Sequence, residues 1–545
     1  MGNCSRRSFL KGGALVGGAA ALSMLAGCAA DPKPAGDSVE SPSTQADAAA
    51  AQGGPWSWSV PPEPIADDSI AEVVDTDVLI IGAGCAGAGA AMYAGLNGID
   101  AVVLQKSDKP RTNGVFLGMW NSPIDAENEI TCDIPATMQM FSETYSNGRV
   151  NLKLFKRLLE RTGEAADYLV KNIGPIGGSD PKVMEVGGHL CYWWDNGQGW
   201  DYRYDGWRAV IDREVELAEQ NGVKVFYSTP AIMLTQGDDK TVTGAIGQRE
   251  DGSYVKVNAA KGVLLATGDI TDDQEMLRCY APVMEGVPSM HGTPCNTGDG
   301  HKMGLWVGGR MDLAQHAIMM HYDPSSLSPI TPPYSAAPWL HVNIYGERFM
   351  NENIDYQSSA SSVAMQPQHT AFQIIDSNYA VNVNEYKNGF RSGTPEKFEA
   401  AVKAGSILKA DTIEDLADQM RVDKDTLVAT VARYNELVDK GVDEDFGMAS
   451  EYFVLSPIKQ APFYAIERIP SVLATCGGLR CTDELKVLDN DDNVIPGLWV
   501  AGNVQGSMFG YDYPVTGFQG LSLGRALTGG ILAVKSMVGT FDEAI

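Results

Sequence analysis

The clearest hydrophobic pattern in the chain is a strand, a helix and a second strand. A β-branched apolar run begins near Val73 and ends at Ile81, and the small residues from Ala88 to Leu96 are typical of a closely packed helix. The apolar segment Ala101–Leu104 follows at the spacing expected of a second strand. This order predicts a βαβ unit and therefore an α/β fold with a parallel sheet.

The first strand and the helix are joined by the segment Gly82-Ala83-Gly84-Cys85-Ala86-Gly87. In such a GxGxxG pattern the glycines let a pyrophosphate approach the backbone at a helix N-terminus. The position after the second strand, where an acid usually binds the ribose, is Gln105, whose amide can also hydrogen-bond a diol. We therefore predict a dinucleotide site, with a glycine-rich turn that binds no ligand as the alternative.

The N-terminus has the pattern of an export signal. Paired arginines in Ser5–Lys11 precede an apolar run over 12–26, which is shorter than the roughly 20 residues of a membrane-spanning helix. The arginine pair resembles a twin-arginine signal, and Leu25–Cys28 resembles a lipoprotein cleavage motif. We predict a leader over 1–27 and a lipid anchor at Cys28 on the extracytoplasmic face of the membrane. An uncleaved anchor or a chance match is the alternative.

The next segment differs in composition from the rest of the chain. Residues 29–55 are mostly Ala, Pro, Ser, Gly, Gln and Asp. Such a segment cannot bury enough apolar surface to fold alone. We interpret 28–68 as a tether and expect the folded part to begin at residue 69.

The overall composition excludes several classes of protein. Of 545 residues, 44% are hydrophobic and 20% charged, which fits neither a disordered chain nor a polytopic membrane protein. The 69 acidic residues outnumber the 41 Lys and Arg, and the net charge of -28 repels nucleic acid. No CxxC occurs, so neither a zinc ribbon nor a covalently attached haem is indicated, and no metal site is predicted. An iron–sulfur cluster on cysteines distant in sequence is the alternative.

Two later segments indicate which dinucleotide binds. Gly262–Asp269 resembles the Ala-Thr-Gly strand end of flavoproteins with a dinucleotide-binding fold, and Pro496–Asn503 resembles their C-terminal flavin-contacting turn. Both favour FAD. No second GxGxxG occurs, so we expect electrons to come from a separate membrane or extracytoplasmic protein.

Further motifs identify a family resemblance. Asn296–Gly300, Gly346–Glu352, Leu427–Asp445 and Thr475–Gly478 resemble segments of the FAD-dependent fumarate reductase and succinate dehydrogenase flavoprotein superfamily. The resemblance extends from about Asp75 to Val538.

The resemblance implies a Rossmann-like FAD-binding domain in two chain segments, 69–315 and 472–545, with an inserted α+β capping domain over 316–471. Some members attach FAD covalently through a His, but none occurs between Arg111 and Gly118, so one non-covalent FAD per chain is expected. The GxGxxG segment and the resemblance together imply cofactor contacts at Gly82, Gly84, Ala86, Gly87, Gln105, Lys106, Asn113, Gly114, Thr267, Gly268, Asp299, Gly502, Asn503, Ser522 and Leu523.

The chain departs from the fumarate-reducing members at three positions. Tyr356 stands where they have a proton-donating Arg, Ala474 where they have a substrate-binding His, and Tyr513 where they have a carboxylate-binding Arg. Burying a dicarboxylate without these charged hydrogen bonds is costly. The departures therefore disfavour a dicarboxylate substrate.

The segment Tyr513-Pro514-Val515-Thr516-Gly517 is similar to the Tyr-Pro-x-x-Gly of 3-ketosteroid dehydrogenases and of the bacterial cardiac glycoside reductase. The similarity implies that the Tyr513 hydroxyl and the Gly517 N–H hold a carbonyl oxygen as it gains charge. Flavin N5 would then deliver hydride to the β-carbon, and Tyr356 would protonate the α-carbon. A packed core tyrosine is the alternative for each tyrosine.

We therefore expect an alkene reductase that acts on CH–CH bonds. Its substrate would be a neutral α,β-unsaturated carbonyl compound, namely a steroid-like or an aryl enone. The alternatives are a ketosteroid-type desaturase, a fumarate- or acrylate-type reductase, and a non-catalytic FAD lipoprotein. The aromatic runs Cys191–Trp194 and Trp200–Tyr204 are expected in the core rather than in a substrate pocket, and the acidic Asp443–Asp445 in a solvated loop. His291 and His301 alone do not make a metal site.

Overall fold

The computed structural model describes residues 56–545, with the exception of 187, 200–201, 292–293, 323–329, 382–392, 511–512 and 516. The predicted leader and Cys28 lie outside these residues. The strands are β1 (Ile70–Ile81), β2 (Ala101–Leu104), β3 (Leu117–Met119), β4 (Lys182–Val186), β5 (His189–Trp193), β6 (Lys224–Phe226), β7 (Ala231–Gln236), β8 (Val242–Gln248), β9 (Tyr254–Leu265), β10 (Ala317–His321), β11 (Leu340–Asn343), β12 (Ala371–Ile375), β13 (Ile407–Ala410), β14 (Phe463–Arg468), β15 (Ser471–Cys476), β16 (Lys486–Leu488) and β17 (Val494–Val500). The helices are α1 (Cys85–Leu96), α2 (Pro123–Glu127), α3 (Ile134–Met140), α4 (Leu152–Ile173), α5 (Arg203–Gln220), α6 (Gln274–Tyr280), α7 (Asp299–Trp306), α8 (Tyr356–Ala364), α9 (Pro395–Ala404), α10 (Ile413–Met420), α11 (Lys424–Lys440), α12 (Ser450–Phe453) and α13 (Leu521–Val538).

The largest sheet contains the predicted βαβ unit. Its strands follow the order β16-β17-β9-β1-β2-β6, and β8 pairs with β9 and with β7. From β17 to β6 the neighbours are parallel, whereas β16, β8 and β7 are antiparallel to theirs. β2 has the predicted bounds, β1 begins earlier than expected, and α1 begins immediately after Gly84. The α/β fold class is confirmed.

The register brings four strand ends to one edge of this sheet. Ile81 is the partner of both Leu104 and Leu265, and Leu265 is also the partner of Val500. The loops that follow β1, β2, β9 and β17 therefore leave the sheet side by side. Ligands of such sheets bind outside the carboxyl ends of the strands.

Helix α1 is packed against backbone on two sides. A Cβ on Gly87 would lie 1.8 Å from the Gly82 carbonyl oxygen, and one on Gly530 of α13 would lie 2.0 Å from that of Ala86. Only glycine fits at both positions. Helix α13 is long and apolar enough to span a membrane, yet most of it is buried in this fold, as in the core helix of a soluble protein.

A second, antiparallel sheet has the order β11-β12-β14-β13 and packs with α10 and α11 around a separate apolar core. Before it the chain passes through β10, and after it through β15, and these two strands pair with each other. The predicted capping domain, 316–471, includes this sheet. Its boundaries stay a prediction.

Two local predictions are wrong. Trp58, assigned to the tether, is only 7% exposed and its carbonyl oxygen accepts a hydrogen bond from Trp306 Nε1 at 3.0 Å. The packed chain therefore begins before residue 69. Asp443, assigned to a solvated loop, is buried and accepts two hydrogen bonds from Arg348 at 3.0 and 2.8 Å. The core interpretation is correct for Cys191, Tyr192 and Trp194, which are buried, and wrong for Tyr202, which is 44% exposed.

Candidate functional site

A cavity lies at the edge of the sheet where the four strand ends meet. All of the predicted cofactor residues except Gly87 line it. The structure thus brings together Gly82, Gly84, Ala86, Gln105, Lys106, Asn113, Gly114, Thr267, Gly268, Asp299, Gly502, Asn503, Ser522 and Leu523. Gly87 lies behind the cavity, where its missing side chain permits contact between α1 and β1. The contacts of individual residues with FAD stay a prediction.

One end of the cavity is formed by the start of α1. Gly84 is the N-cap residue of this helix, and no side chain caps it. The first N–H groups of a helix lack intrahelical partners, and together with the helix dipole they favour a phosphate. A Cβ on Gly84 would lie 3.1 Å from the Arg111 carbonyl oxygen, so a side chain here would crowd the cavity wall. This end fits a pyrophosphate.

Gln105 connects the glycine loop to the end of β2. Its Oε1 accepts a hydrogen bond from the Ala83 N–H at 2.9 Å, and its Nε2 donates to Ser107 Oγ at 2.6 Å and to the Lys109 carbonyl at 2.9 Å. Both amide hydrogens are thus used within the protein. The remaining lone pair of Oε1 is available to a ribose hydroxyl. Beside it, Lys106 Nζ donates to Thr297 Oγ1 and Asp299 Oδ2 at 2.6 and 2.9 Å.

A buried polar network fixes Asn503 on the opposite wall. Its Nδ2 donates to Asp269 Oδ2 at 3.1 Å, and its Oδ1 accepts from Arg525 at 2.6 Å. Burial raises the pKa of the Asp269 carboxyl, although hydrogen bonds and His291 oppose this effect. Arg525 also donates to the Gly502 carbonyl at 2.7 Å, so the turn after β17 is held from both sides.

The cavity fits the cofactor that the sequence predicts. Thr267 Oγ1 is buried at the cavity without a hydrogen-bond partner among the described residues, which leaves a polar atom for a ligand. Strand ends, the N-terminus of α1 and the start of α13 together supply phosphate- and ring-binding groups. Among the described residues, no group of three or more His, Cys, Asp or Glu side chains could hold a metal ion.

The proposed catalytic residues lie outside the cavity lining. Tyr356 begins α8, is 4% exposed, and has its hydroxyl 3.2 Å from His321 Nδ1 on β10. The Tyr322 N–H donates to the same hydroxyl at 3.4 Å. His321 has no counterpart in the sequence interpretation, because a single histidine before an unmatched segment gives no signal.

Tyr513 is buried next to a cavity residue. Its hydroxyl oxygen accepts a hydrogen bond from the Ser522 N–H at 2.8 Å, at the start of α13. Burial raises the pKa of Tyr513 well above its ordinary value, so the phenol stays neutral. Since its oxygen accepts from Ser522, its hydrogen is directed elsewhere and can be donated.

Gly517 makes a close contact that the sequence did not indicate. A Cβ on Gly517 would lie 2.2 Å from the Tyr145 hydroxyl oxygen. Burial raises the pKa of Tyr145, and the charge of Asp355, the residue before Tyr356, adds to this effect. Tyr145 therefore contacts Gly517 and lies close enough to Asp355 to feel its charge. Sequence analysis missed it because the three segments are far apart in the chain.

The end of the cavity nearest β10 and β15 is apolar. Met319 and Ala474 are paired across these strands, and both line the cavity together with Leu473. The fully buried arginines are bonded within the protein: Arg525 to Gly502 and Asn503, and Arg468 to Gln373, Pro332 and Pro333. Of the Arg525 nitrogens, only Nε lacks a hydrogen-bond partner among the described residues.

Comparisons with known proteins agree with this geometry. The family model described as "FAD binding domain" matches residues 77–518, and that of the twin-arginine translocation pathway signal sequence matches residues 3–23. The second match confirms the predicted export route. A vinyl phenol reductase of Lactiplantibacillus plantarum is 27% identical over 464 residues, which cover 80% of this chain and 91% of the relative.

Two further proteins show the breadth of the family. A 3-oxosteroid 1-dehydrogenase of Mycolicibacterium smegmatis is 29% identical over 320 residues, covering 52% of this chain and 53% of the relative. The open conformation of a flavocytochrome c3 fumarate reductase shares the fold, with a TM-score of 0.66 and 22% identity over 89% of this chain and 83% of that one. The chain belongs to the FAD binding domain family, within the fumarate reductase and succinate dehydrogenase flavoprotein superfamily, and is an FAD-dependent oxidoreductase.

Proposed function

We propose that this enzyme reduces the C=C bond of a neutral α,β-unsaturated carbonyl compound, either an enone, steroid-like or aryl. The observation that carries this proposal is the apolar, uncharged end of the cavity at Met319, Leu473 and Ala474. A dicarboxylate there would need charged donors, and Arg468 and Arg525 are already bonded to protein groups. The similarity to a vinyl phenol reductase supports an unsaturated substrate without a dicarboxylate.

FAD, when bound in the cavity, supplies the hydride for the substrate carbon. It would be held non-covalently by the α1 start, Gln105, Thr267, Asn503 and the α13 start. The substrate would lie against the apolar end of the cavity, where side chains exclude water.

Tyr513 would donate its hydroxyl hydrogen to the substrate oxygen. Its neutral state and its acceptance of the Ser522 N–H favour this role, because the donor is fixed before the oxygen gains charge. Tyr356 would give a proton to the α-carbon, with His321 beside its hydroxyl. Tyr145, whose hydroxyl lies against Gly517, is a further candidate donor.

The test is turnover of a panel of enones, aryl alkenes and dicarboxylates by the purified FAD-loaded protein with a reduced viologen. Tyr513→Phe is expected to lower enone turnover by about 10²–10³, as for loss of one oxyanion donor, with FAD content unchanged. Tyr379→Phe is a matched control, because this buried tyrosine lies outside the cavity lining and bonds Glu399 of α9. Rapid fumarate reduction, or unchanged turnover in Tyr513→Phe, would contradict the proposal.

The same residues suit the reverse reaction. The similarity to a 3-oxosteroid 1-dehydrogenase favours desaturation of a saturated ketone as the second candidate. The two are separated by asking whether saturated ketones bleach the oxidised flavin or enones reoxidise the reduced flavin. We also propose that Cys28 carries a lipid and that a separate membrane or extracytoplasmic protein supplies electrons.

A further inference from the structure

A carboxylate, an imidazole and an amide form a line at the edge of the FAD cavity. His291 Nδ1 lies 3.2 Å from Asp272 Oδ2, and both side chains are about 5% exposed or less. On the other side of the ring, His291 Nε2 lies 2.7 Å from Asn113 Nδ2. Asn113 lines the cavity, whereas Asp272 and His291 are behind it.

Asp272 is held in its charged form. Its Oδ2 accepts hydrogen bonds from the N–H groups of Cys295 and Asn296, both at 2.9 Å, and its Oδ1 accepts from Ser289 Oγ at 2.8 Å. Burial opposes ionisation, but these hydrogen bonds outweigh it and lower the pKa of Asp272. A carboxylate only accepts hydrogen bonds, so the facing His291 Nδ1 carries the hydrogen.

The other nitrogen of His291 then has two possible states. When the ring is neutral, Nε2 is an acceptor and takes a hydrogen from Asn113 Nδ2. When the ring is protonated, Nε2 becomes a donor, and the Leu473 carbonyl oxygen lies 3.0 Å away to accept it. Asn113 then loses His291 as an acceptor and keeps only the longer contact with the Leu473 carbonyl, at 3.5 Å. Because Asn113 and Leu473 both line the cavity, either state of His291 changes the hydrogen bonds on the cavity wall.

The position in the cavity indicates which part of FAD this wall faces. Gln105 and Lys106 mark the ribose end beside β2. Leu473 and Ala474 are neighbours on β15 at the opposite, apolar end, and Asn113 Nδ2 is 3.5 Å from the Leu473 carbonyl. The redox-active ring is the part of FAD that extends away from the ribose end.

Two carboxyl groups act on His291, one behind the cavity and one in the cavity lining. Asp272 is in direct contact, and Asp269 interacts with His291 through its charge. Lys106 and Arg111 act on the neighbouring Cys295 thiol and are the cations of this wall. A proton on His291 would therefore lie near two carboxyl groups, of which Asp269 also lines the cofactor cavity.

We propose that Asp272 and His291 are a proton-accepting pair that takes up one proton when FAD is reduced, and that Asn113 couples this proton to the flavin. The reducing dye of the test below would supply two electrons to bound FAD. With one proton on the flavin its charge would fall by one, and a second proton on His291 Nε2 would offset this change. His291 is thus a positioning residue rather than a catalytic one. The inference concerns the FAD site alone and does not depend on the proposed substrate.

The test is the two-electron midpoint potential of bound FAD, measured against pH by dye equilibration. Each proton taken up with two electrons contributes about 30 mV per pH unit, because a tenfold change in an equilibrium constant corresponds to about 30 mV for such a couple. Over part of the pH range, we expect the midpoint potential of the wild type to fall with pH by the slope of one proton more than the potentials of His291→Gln and Asp272→Asn. His369→Gln is the matched control, since His369 is half-buried, bonds the Ala364 carbonyl and does not line the cavity.

Equal slopes in the wild type and in both variants, with FAD content unchanged, would overturn the proposal. So would loss of FAD from both variants, measured by fluorescence titration, while His369→Gln binds normally, because this result indicates a structural role alone. Wild-type turnover with any substrate is not needed for either outcome, so failure of the proposed function leaves this test intact.

Discussion

At the scale of single residues, Glu214 is a buried carboxyl group outside the cavity lining. It lies on α5, is fully buried, and neither carboxyl oxygen has a hydrogen-bond partner among the described residues. It faces α1, where a Cβ on Gly89 would lie 3.5 Å from Glu214 Oε1. A charge without a partner is strongly disfavoured in such a site, and burial raises the pKa of Glu214 well above its ordinary value.

This arrangement predicts a pH-dependent stability. Above the unfolded pKa of about 4.5 the folded state keeps the Glu214 proton that the unfolded state releases, so stability falls as pH rises towards the folded pKa. Glu214→Met removes the group, and we expect its advantage in melting temperature over the wild type to grow from pH 5 to pH 8. The control is Glu216→Met on the same helix, where the side chain is 56% exposed. A constant difference between Glu214→Met and the wild type at all pH values would contradict the interpretation.

The residues that sequence analysis missed share one property. Each contacts a residue that is distant in the sequence. Tyr145 contacts Gly517, and His291 contacts Asn113, which is 178 residues away. Asp443 was assigned to solvent because its segment is acidic, yet its partner Arg348 is 95 residues away. The spacing of residues along a chain gives no information about such contacts. The GxGxxG loop acts through its own backbone, so its role can be predicted from the sequence.

At the scale of elements, two glycines at the junction of β1 and α1 have different roles, one in packing and one in cofactor binding. Gly87 touches the Gly82 carbonyl, and Gly84 lines the cavity. Gly87→Ala would force a Cβ to within 1.8 Å of the Gly82 oxygen, so α1 must move away from β1. We expect a lower melting temperature of the FAD-free protein together with loss of FAD.

Gly84→Ala is the matched comparison on the same loop. Its Cβ would meet the Arg111 carbonyl at 3.1 Å, which a small backbone adjustment relieves. We expect the FAD-free protein to keep its melting temperature while FAD affinity falls, since the methyl group occupies the approach of the pyrophosphate. Thermal unfolding with and without FAD measures both effects. Equal effects of the two substitutions on the FAD-free protein would show that the two glycines do not have different roles.

The elements themselves were predictable to different degrees. β2 has exactly the predicted bounds because a short, continuous apolar run has clear ends. β1 extends further towards the N-terminus, where Ile70–Asp75 alternates half-buried and exposed positions and gives a weaker signal. The pairing of β10 with β15 requires the whole inserted segment to fold back, and neither strand has a local pattern that indicates its partner.

At the scale of the whole molecule, a buried ionic group lies beside the second sheet, where the His341 N–H of β11 donates to Glu352 Oε1 at 3.1 Å. Arg348 donates to Glu352 at 2.9 and 2.7 Å and to Asp443 at 3.0 and 2.8 Å, and its guanidinium lies over the Tyr434 ring at 5.1 Å. Removing the arginine leaves two buried carboxyl groups without a cation. Breaking such a buried group typically costs about 3–5 kcal/mol.

We therefore expect Arg348→Met to lower the free energy of unfolding, measured in urea, by about 3–5 kcal/mol. As the urea concentration rises, the second sheet of this variant should unfold first. FAD absorbance should persist in the same samples, because the FAD cavity draws its lining from outside β11–β14. Arg433→Met is the control, since Arg433 bonds Asp445 at a half-exposed site. A single transition in which FAD and the second sheet are lost together, at unchanged midpoint, would contradict this expectation.

The net charge and the fold together disfavour a free nicotinamide dinucleotide as the electron donor. The chain carries a charge of -28, so a free dinucleotide with its two phosphates is repelled over most of the surface. The sequence has one GxGxxG, and in the part of the chain that the structure describes this loop belongs to the FAD cavity.

We expect NADH and NADPH to bleach the flavin slowly or not at all, whereas a reduced viologen, which is a cation, bleaches it rapidly. Stopped-flow absorbance of the oxidised protein with each donor measures this difference. Rapid bleaching by NADH at physiological ionic strength would show that the enzyme does not need a separate redox protein.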